Sequence, residues 1–488
     1  MSIISKENII KVMASYNPWW KTGVIAPEFA RKYHRTAYYE AMQYLDQKDL
    51  RRTIILSGVR RVGKTTIQYQ MIKTLLKRDI APHRILFIAL DHPVLKLAGL
   101  AEILECYHET VYAGEDSFYF FDEIQYAADW ANWLKTIYDR QPNTYMVATG
   151  SASPALVKNS TESGVGRWSV IHVPTLSFYE YCSLLGLSNF ELPPNIKPTE
   201  FALLKPEKQT DIMLRLSGLQ NHFNRYLQLG GFPELALAQN DLRAQQIIRE
   251  DVVDKVLKRD LPAIYKIRNA TELERIFLYL CTVSSSIVAT ETIAKELNGV
   301  SWPTVENYIQ YLASANLIYL SQPVSLSGKK VLKAKPKIYI ADAAIRNAVL
   351  MDDSVLTNPE EMGRIVETAV YKHIAAFYYK AAAKIGYYRN SQKAREAEKE
   401  IDIVVEYPRI KSILIEVKYR EQADISDNSA ICEFAAQANA ALVITKKPTD
   451  YGVHHAPGGK LLTRIPAFAF LYLLGYVEQT NLIGQDGA

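Results

Sequence analysis

The sequence has few cysteines, and they form no paired arrangement. Its four cysteines are spread over 488 residues and form no Cys-x-x-Cys motif. This spacing argues against a zinc site and against a disulfide framework, and it is typical of proteins in the reducing cytosol. We therefore expect a cytoplasmic protein whose fold depends on packing rather than on covalent cross-links.

Long apolar segments and a strong net charge are also missing. Residues 1–11 lack the apolar core of a signal peptide, and the late apolar run 465–476 is too short to span a bilayer. We expect that run to complete a hydrophobic core, and we expect no membrane association. The net charge of +5 is too small for this length to indicate a nucleic-acid partner, so such contacts must depend on local basic clusters.

One motif is present in full near residue 60. Residues 58–65 match the pattern G-x-x-x-x-G-K-[ST], between an apolar run at 52–56 that predicts a strand and a helical pattern at 66–77. In this context backbone N–H groups cradle nucleotide phosphates, the lysine reaches the β- and γ-phosphates, and the next hydroxyl binds Mg²⁺. ATP and Mg²⁺ are therefore the expected cofactors. The predicted nucleotide contacts are Gly58, Val59, Arg60, Arg61, Val62, Gly63, Lys64, Thr65 and Thr66.

Two acids end a later predicted strand. Apolar runs at 84–90, 117–122 and 144–149 alternate with helical patterns, which predicts a parallel sheet with both faces covered. The carboxyl ends of such strands face the ligand crevice. We therefore expect Asp122 to hold Mg²⁺ together with Thr65, and Glu123 to polarise the attacking water. Gln125 is a weaker candidate for assisting them.

Polar residues after the fourth predicted strand are candidates for sensing the γ-phosphate. Either Thr149 or Ser151 would sit between Asp122 and that phosphate, although a plain Gly-Ser turn explains the pattern equally well. Arg167 follows a glycine-containing loop and is a candidate for stabilising transition-state charge, in cis or from a neighbouring subunit. A role in trans would imply a homo-oligomer. A surface arginine at a strand start is the alternative.

The segment 290–320 has the order of a winged helix-turn-helix. A short helix at 292–297, a turn at 298–299, a second helix at 301–313 and a strand from 317 follow one another. This order, with basic residues in the wing, predicts contacts with DNA phosphates, while a structural module that only joins domains is the alternative. The second helix has no arginine along its middle, so base-specific readout is not expected. The wing lysines are Lys329, Lys330, Lys333, Lys335 and Lys337.

The C-terminal region carries charged residues on a predicted hairpin. Strands at 401–405 and 412–417 are expected to pair. Because side chains alternate along a strand, Glu416 and Lys418 share one face, and Asp402 lies across from them. Ordinary surface charges on an exposed hairpin are the alternative, since a Glu-x-Lys triplet is common by chance.

The order of the motifs resembles a known family. Together they look like the prokaryotic AAA-type ATPases whose C-terminal half is a restriction-endonuclease-like domain. The motifs are Gly-Val-Arg-Arg-Val-Gly-Lys-Thr at 58–65, Phe-Phe-Asp-Glu-Ile-Gln at 120–125, Thr-Gly-Ser at 149–151, Gly-Arg-Trp at 166–168, Pro-Thr-Leu-Ser-Phe-Tyr-Glu at 174–180 and Leu-Gly-Gly-Phe-Pro-Glu at 229–234.

The C-terminal hairpin in turn resembles the PD-(D/E)XK nucleases. This resemblance implies that Asp402 and Glu416 bind Mg²⁺, with Glu367 completing the acidic cluster from a helical stretch at 362–379. It also implies that Lys418 orients or activates the attacking water. Gln437 is a weaker candidate for substrate contact. Such a fold does not by itself guarantee cleavage.

The combined expectation is an α/β protein of several parts. A P-loop AAA-type core with a parallel sheet is followed by a helical lid, a winged helix-turn-helix and an α/β restriction-endonuclease-like domain. The predicted segments are an N-terminal helical segment at 1–50, the ATPase core at 51–176, the lid at 177–280, the winged helix at 281–350, the nuclease-like domain at 355–476 and a tail at 477–488.

Two functional hypotheses of different classes follow. In the first, a Mg²⁺-dependent ATPase acts on or binds DNA through the winged helix, and its turnover drives or licenses a metal-dependent endonuclease. In the second, ATP sets the conformation of a switch or scaffold that binds protein partners, and the nuclease fold is inactive. ATPase stimulation by DNA and metal-dependent nicking are expected only under the first.

Overall fold

The chain folds into two compact units. The computed structural model describes residues 4–150, 166–188, 190–193, 196–297, 299–326, 335–351, 356–379, 383–390, 399–407, 410–456 and 460–485. The first unit comprises Met1–Pro174 and Leu482–Ala488, and the second comprises Thr175–Asn481. The segments predicted as lid, winged helix and nuclease-like domain therefore lie together in the second unit.

The first unit alternates strands with helices, as its apolar runs predict. Each of its first three strands is fully buried, which is the pattern of a sheet covered on both faces. Its helices are α1 Lys6–Tyr16, α2 Trp19–Thr22, α3 Thr36–Asp46, α4 Lys64–Lys77, α5 Pro93–Thr110, which is interrupted at Gly99, and α6 Trp130–Arg140. Its strands are β1 Thr53–Ser57, β2 Ile85–Ala89, β3 Phe118–Asp122, β4 Tyr145–Gly150 and β5 Trp168–His172.

The five strands form a parallel sheet in the order β2-β3-β4-β1-β5. This order places the end of β1 next to the end of β4, with β3 one strand further. Helix α4 is tied to this region by Gln68, whose buried amide donates to the carbonyls of Phe121 and Val147, both at 3.2 Å. The parallel sheet expected from the sequence is confirmed, and its carboxyl edge carries the P-loop and the paired acids.

The N-terminal helices pack on the same sheet. The indole N–H groups of Trp19 and Trp20 both donate to the carbonyl of Ile85, at 3.1 and 2.8 Å. The amide of Asn17 donates to the carbonyl of Phe87 and accepts from its N–H. Through these contacts the two tryptophans and Asn17 attach the N-terminal segment to strand β2.

The second unit combines many short helices with a large sheet. Its α-helices are α7 Phe178–Leu184, α8 Pro206–Leu216, α9 Gln220–Leu229, α10 Pro233–Ala236, α11 Asp241–Ile247, α12 Leu261–Tyr265, α13 Ala270–Thr282, α14 Thr290–Glu296, α15 Trp302–Ser314, α16 Ala343–Leu350, α17 Pro359–Tyr378, α18 Ala430–Phe434 and α19 Ala467–Gln485. Its strands are β6 Ser286–Ile287, β7 Ile318–Pro323, β8 Lys337–Ile340, β9 Lys384–Arg389, β10 Glu400–Tyr407, β11 Ile410–Lys418, β12 Ala440–Thr445, β13 Gly452–Ala456 and β14 Lys460–Pro466.

One sheet runs through the whole second unit, in the order β13-β14-β12-β11-β10-β9-β7-β8-β6. Strands β10 and β11 pair antiparallel with Ile403 opposite Ile415, which confirms the predicted hairpin. Strand β7, which follows the two helices α14 and α15, pairs with β9 in parallel at Gln322 and Gly386. The helix-turn-helix segment therefore shares its sheet with the C-terminal hairpin.

Gly386 shows how closely these strands approach. A Cβ added there would lie 2.1 Å from the carbonyl oxygen of Gln322, so only glycine fits at this pairing. The start of α19 is buried from Ala467 to Leu474, which confirms that the late apolar run completes a core. In the described part of the chain, no helix combines the length and apolarity that crossing a bilayer requires.

Candidate functional site

The loop between β1 and α4 has the backbone shape of a phosphate cradle. Gly63 caps α4 with φ 93°, and Arg61 also has a positive φ of 63°, which is uncommon for a residue with a Cβ. The buried guanidinium of Arg35 donates to the carbonyl of Val62 at 2.8 Å and supports the loop from outside. The loop thus directs the N-terminus of α4 towards the site where the motif predicts phosphates.

Lys64 is the first residue of α4, and its side chain lies under the loop. Its ammonium donates to the carbonyls of Gly58 at 2.8 Å and Val59 at 3.0 Å, and the residue is 5% exposed. These bonds hold the ammonium beside the loop, where the motif predicts the β- and γ-phosphates.

The carboxylate of Asp122 lies beside the loop, between two hydroxyl groups. Thr65 Oγ1 donates to it at 2.9 Å, and Thr149 Oγ1 donates to its Oδ1 at 2.5 Å. Burial and the neighbouring Glu123 raise the pKa of Asp122 to about 6, against the lowering effect of both hydroxyls. The geometry therefore brings Thr65, Asp122 and Thr149 together, and the role of Thr149 in sensing the γ-phosphate stays a prediction. Ser151 lies outside the described residues.

Glu123 has an unusual backbone conformation at the end of β3. Its φ of 52° and ψ of 51° place a non-glycine residue in the left-handed region, which is strained and common at active sites. Its N–H donates to Thr149 Oγ1 at 3.0 Å, and the amide of Gln125 donates to its carboxylate. Thr149 therefore links both acids, and Gln125 holds the carboxylate of the predicted catalytic base.

Arg167 lies at the other edge of the sheet. It directly precedes β5, and its carbonyl accepts from the N–H of Thr53, the first residue of β1. Its guanidinium pairs with the exposed Asp139 at 2.8 Å. The length of β1 separates this edge from the P-loop by about 13 Å at a rise of 3.3 Å per residue. This position agrees with the alternative of a surface arginine at a strand start. A role at the phosphates, in cis or in trans, stays a prediction.

In the second unit, the predicted acidic residues do come together, but around a lysine. The ammonium of Lys337, in β8, lies 2.8 Å from Glu367, 2.8 Å from Glu400 and 3.2 Å from Asp402. The hydroxyl of Tyr339 donates to the same oxygen of Glu367 at 2.8 Å. The other oxygen of Asp402 accepts from the N–H of Val417 at 2.9 Å across the hairpin.

Glu416 is neutralised by a second lysine. Lys418 Nζ donates to Glu416 Oε1 at 2.5 Å, while Oε2 is buried and has no hydrogen-bond partner in the described structure. Burial and the charge of Asp402 raise the pKa of Glu416 to about 8, despite Lys418. Burial likewise raises the pKa of Glu367 to about 7, despite Lys337.

This cluster does not fit a divalent metal as it stands. Among the described residues, no group of three or more histidines, cysteines or carboxylates has an arrangement that would hold one. The oxygens of Glu367 and Asp402 already accept hydrogen bonds from Lys337, Tyr339 and the backbone of Val417. The prediction that Glu367, Asp402 and Glu416 form a Mg²⁺ site is wrong for this arrangement, because ammonium groups occupy the space among these acids.

The predicted basic wing is also corrected by the position of Lys337. The residue is 3% exposed, so it cannot contact a DNA backbone from the surface. Lys335 is exposed, and its ammonium lies 3.8 Å from Glu291. Lys329, Lys330 and Lys333 lie outside the described residues. On helix α15 the exposed side chains include Asn307 and Gln310 but neither arginine nor lysine.

Local sequence patterns do not predict that the acidic cluster includes Lys337, Tyr339 and Glu400. Lys337 and Tyr339 alternate along β8, so they share a face, but the strand that faces them is set by long-range pairing. Arg35 was missed for a similar reason, since it contacts Val62 from a segment that precedes the sheet. Gln437 is exposed at the end of the turn Ala435–Gln437.

Comparison with known families identifies the first unit's chemistry. A family model described as an AAA domain (AAA_14) matches residues 50–182. Two models described as domains of unknown function, DUF8612 and DUF4143, match residues 220–355 and 362–468. Residues 50–182 thus form an AAA-type ATPase domain of the P-loop kind. The other two descriptions assign neither DNA binding nor nuclease activity.

A large part of the chain is similar to two proteins of Methanocaldococcus jannaschii. The uncharacterized protein MJ1544 is 28% identical over 321 residues, and the match spans 65% of this chain and 65% of MJ1544, slightly under two thirds of its length. The uncharacterized protein MJ1637 is 24% identical over 415 residues, which cover 81% of this chain and 82% of MJ1637. Both matches extend well beyond the ATPase domain.

A solved structure, the Walker-type ATPase PABY2304 of Pyrococcus abyssi, is also similar in part. It is 14% identical, covers 64% of this chain and 94% of its own, and superposes with a TM-score of 0.36. A score this low adds nothing to the assignment of the fold.

Proposed function

We propose that the AAA-type ATPase domain at residues 50–182 uses Mg²⁺ to hydrolyse ATP, with Lys64, Asp122 and Glu123 as its catalytic residues. One observation carries the proposal. The Asp122 carboxylate lies within 3.1 Å of Thr65 Oγ1 and 2.5 Å of Thr149 Oγ1, at the edge of the sheet that bears the P-loop. Positioning and electrostatic stabilisation supply most of the rate enhancement in phosphoryl transfer, and these residues are arranged for both.

The loop residues bind the triphosphate. N–H groups at the N-terminus of α4 donate to phosphate oxygens, and the helix dipole favours their negative charge. Lys64 leaves the carbonyls of Gly58 and Val59 and donates to the β- and γ-phosphates. Because this lysine is nearly buried, its charge is only weakly screened by water and acts strongly on the phosphates.

Thr65 and Asp122 fit a Mg²⁺ ion. Their oxygens lie 2.9 Å apart, and Mg²⁺ at phosphate sites takes one or two such protein oxygens along with phosphates and water. When bound, the ion neutralises charge that develops on the β- and γ-phosphates. Thr65 and Asp122 would hold the ion, and the hydroxyl of Thr149 holds Asp122 through its Oδ1.

Glu123 orients the attacking water and accepts its proton. For this step its carboxylate must exchange the amide of Gln125 for the water molecule. The link through Thr149, which donates to Asp122 and accepts from the N–H of Glu123, keeps both acids in register. The strained backbone at Glu123 directs its side chain away from the path of a regular strand.

Hydrolysis and binding should separate in one variant. For Glu123→Gln we expect unchanged ATP affinity and a rate lowered by about 10²–10⁴-fold, the usual contribution of a general base. The measurement is phosphate release under saturating ATP, with nucleotide binding followed separately. Glu7→Gln, an exposed acid on α1, is the matched control and should keep full activity. Full turnover in Glu123→Gln would exclude the proposed base.

We further propose that ATP sets the conformation of a switch, rather than driving DNA cleavage. Two observations support this class. The acids of the second unit are paired with lysines, and the exposed face of α15 carries no positive side chain. Neither feature favours phosphate contact or metal-dependent cleavage.

One assay separates the switch from the DNA-directed reading. ATP hydrolysis is measured with and without double-stranded and single-stranded DNA, and the same reactions are analysed on gels. We expect turnover indifferent to DNA and no nicking with any divalent metal. Stimulation by DNA, or nicking that is lost in Lys418→Ala, would support the DNA-directed enzyme instead.

A further inference from the structure

The position of Lys337 is unusual for a lysine in a sheet. Its side chain is 4% exposed, and its ammonium is surrounded by three carboxylates from two elements of the second unit. Glu367 comes from α17, and Glu400 and Asp402 come from β10. Buried lysines are rare unless they are paired, and this one has three partners.

The ammonium lies where these carboxylates would share a metal ion. Its distances of 2.8–3.2 Å are those of charge-assisted hydrogen bonds, whereas Mg²⁺ and Ca²⁺ bind oxygens at 2.0–2.6 Å. Two cations cannot occupy one such space, because their repulsion in a buried site is strong. Strand β8 is paired on both sides, by β7 and β6, which fixes the backbone from which Lys337 extends.

We propose that Lys337 is the built-in cation of this cluster. Its ammonium joins Glu367, Glu400 and Asp402 and excludes a divalent metal, so the cluster is a structural junction between β8, β10 and α17. Removal of the ammonium converts these carboxylates into a divalent-cation site.

The ion pair between Glu416 and Lys418 supports the same proposal. Four carboxylates face two ammonium groups in this part of the second unit, and each ammonium is in direct contact with at least one of them. The strongest attraction for an added cation is thereby removed. The inference does not depend on ATP hydrolysis, because all of its residues belong to the second unit, and either proposal can fail alone.

The test is a Mn²⁺ titration followed by electron paramagnetic resonance, without nucleotide. Four full-length proteins are compared: the natural chain, Lys337→Met, Lys337→Met with Asp402→Asn, and Lys384→Met. Lys384 is the matched control, since it is an exposed lysine of the same sheet that lies 3.7 Å from Glu406. Weak binding at the P-loop is common to all four proteins and cancels in the comparison.

At Mn²⁺ concentrations up to about 1 mM, we expect Lys337→Met to bind one more Mn²⁺ per chain than the natural chain. The affinity for this ion should be at least about tenfold higher than in the natural chain. Adding Asp402→Asn should remove this ion, and Lys384→Met should behave like the natural chain. A folded Lys337→Met protein with no gain overturns the proposal. Fold is checked by circular dichroism.

A variant that fails to fold still leaves a decisive comparison. The natural chain is then titrated beside Asp402→Asn alone. If the two bind Mn²⁺ equally, the natural cluster holds no metal, as proposed. A Mn²⁺ site in the natural chain that Asp402→Asn abolishes would show that metal enters despite Lys337, and it would overturn the inference.

Discussion

Each unit of this protein gathers carboxylates in a cluster, but the groups that face those carboxylates differ. In the first unit the hydroxyls of Thr65 and Thr149 surround Asp122. In the second unit the ammonium of Lys337 lies among Glu367, Glu400 and Asp402 at the same kind of distance. One cluster is thus lined by neutral donors and the other by cations.

The groups that surround a carboxylate determine which ions it can bind. A hydroxyl donates a hydrogen bond without cancelling the charge of its partner, and it offers a lone pair to an incoming metal. An ammonium cancels the charge and offers no lone pair. The two clusters would look alike in a list of acidic residues, yet the first offers the hydroxyl oxygen that our proposal assigns to Mg²⁺.

The largest effect is expected when the ammonium of Lys337 is removed. We expect Lys337→Met to lower the free energy of unfolding of the second unit by about 3–5 kcal/mol, because it leaves buried carboxylates uncompensated. Chemical denaturation measures the change. The exposed control Lys384→Met should cost no more than about 1 kcal/mol. Equal losses in the two variants would contradict the structural role of Lys337.

In the first unit, the corresponding change removes a hydroxyl. Thr149→Val keeps the shape of the side chain but deletes its bonds to Asp122 and Glu123, so we expect hydrolysis to slow by roughly 10–100-fold, or about 1–3 kcal/mol. Steady-state phosphate release is the measurement. The matched control is Thr144→Val, whose buried hydroxyl donates to Glu115 at the other end of β4 and should not affect turnover. Equal slowing in both variants would indicate a general loss of fold.

The pH dependence of stability tests the buried carboxyl of Glu416. Its pKa is raised by burial from 4.5 to about 8, so between these values the folded state holds a proton that the unfolded state has lost. The contribution of this proton to stability is therefore complete below pH 4.5. It decreases as the pH rises towards 8, by up to about 1.4 kcal/mol per pH unit. Denaturation midpoints across this range should fall less steeply in Glu416→Gln. An unchanged slope would argue against a buried neutral carboxyl.

The smallest effect is expected at Arg167. Its exposed pair with Asp139 lies at the edge of the sheet opposite the P-loop, so Arg167→Ala should leave the turnover of the isolated chain unchanged. Activity is measured at concentrations where sedimentation shows a single chain. A loss of turnover under these conditions would contradict the geometry. A loss that develops only on association would support a role in trans.

The sequence predicted most of the first cluster because its signals are local. The P-loop, the strand that ends in Asp122 and Glu123, and Thr149 each lie within a short pattern whose place in a parallel sheet is known. The hydrogen bonds from Thr149 to Asp122 and from Gln125 to Glu123 needed coordinates. The position of Arg167 directly before β5, paired with Asp139, needed them as well.

The second cluster could be predicted only in part. The hairpin brings Asp402 and Glu416 together, as expected. The run of lysines at 329–337 predicts a basic wing, whereas Lys337 contacts the acidic cluster. Its true partners come from β10 and α17, which join it through long-range strand pairing. Local patterns do not fix such pairings.

The most direct test of this account counts metal ions. Mn²⁺ binding to the natural chain is measured by electron paramagnetic resonance with a non-hydrolysable ATP analogue, beside Thr65→Val. The account predicts one Mn²⁺ per chain, bound with the nucleotide and lost or strongly weakened in Thr65→Val. Two ions per chain, or a single ion that persists unchanged in Thr65→Val, would contradict it.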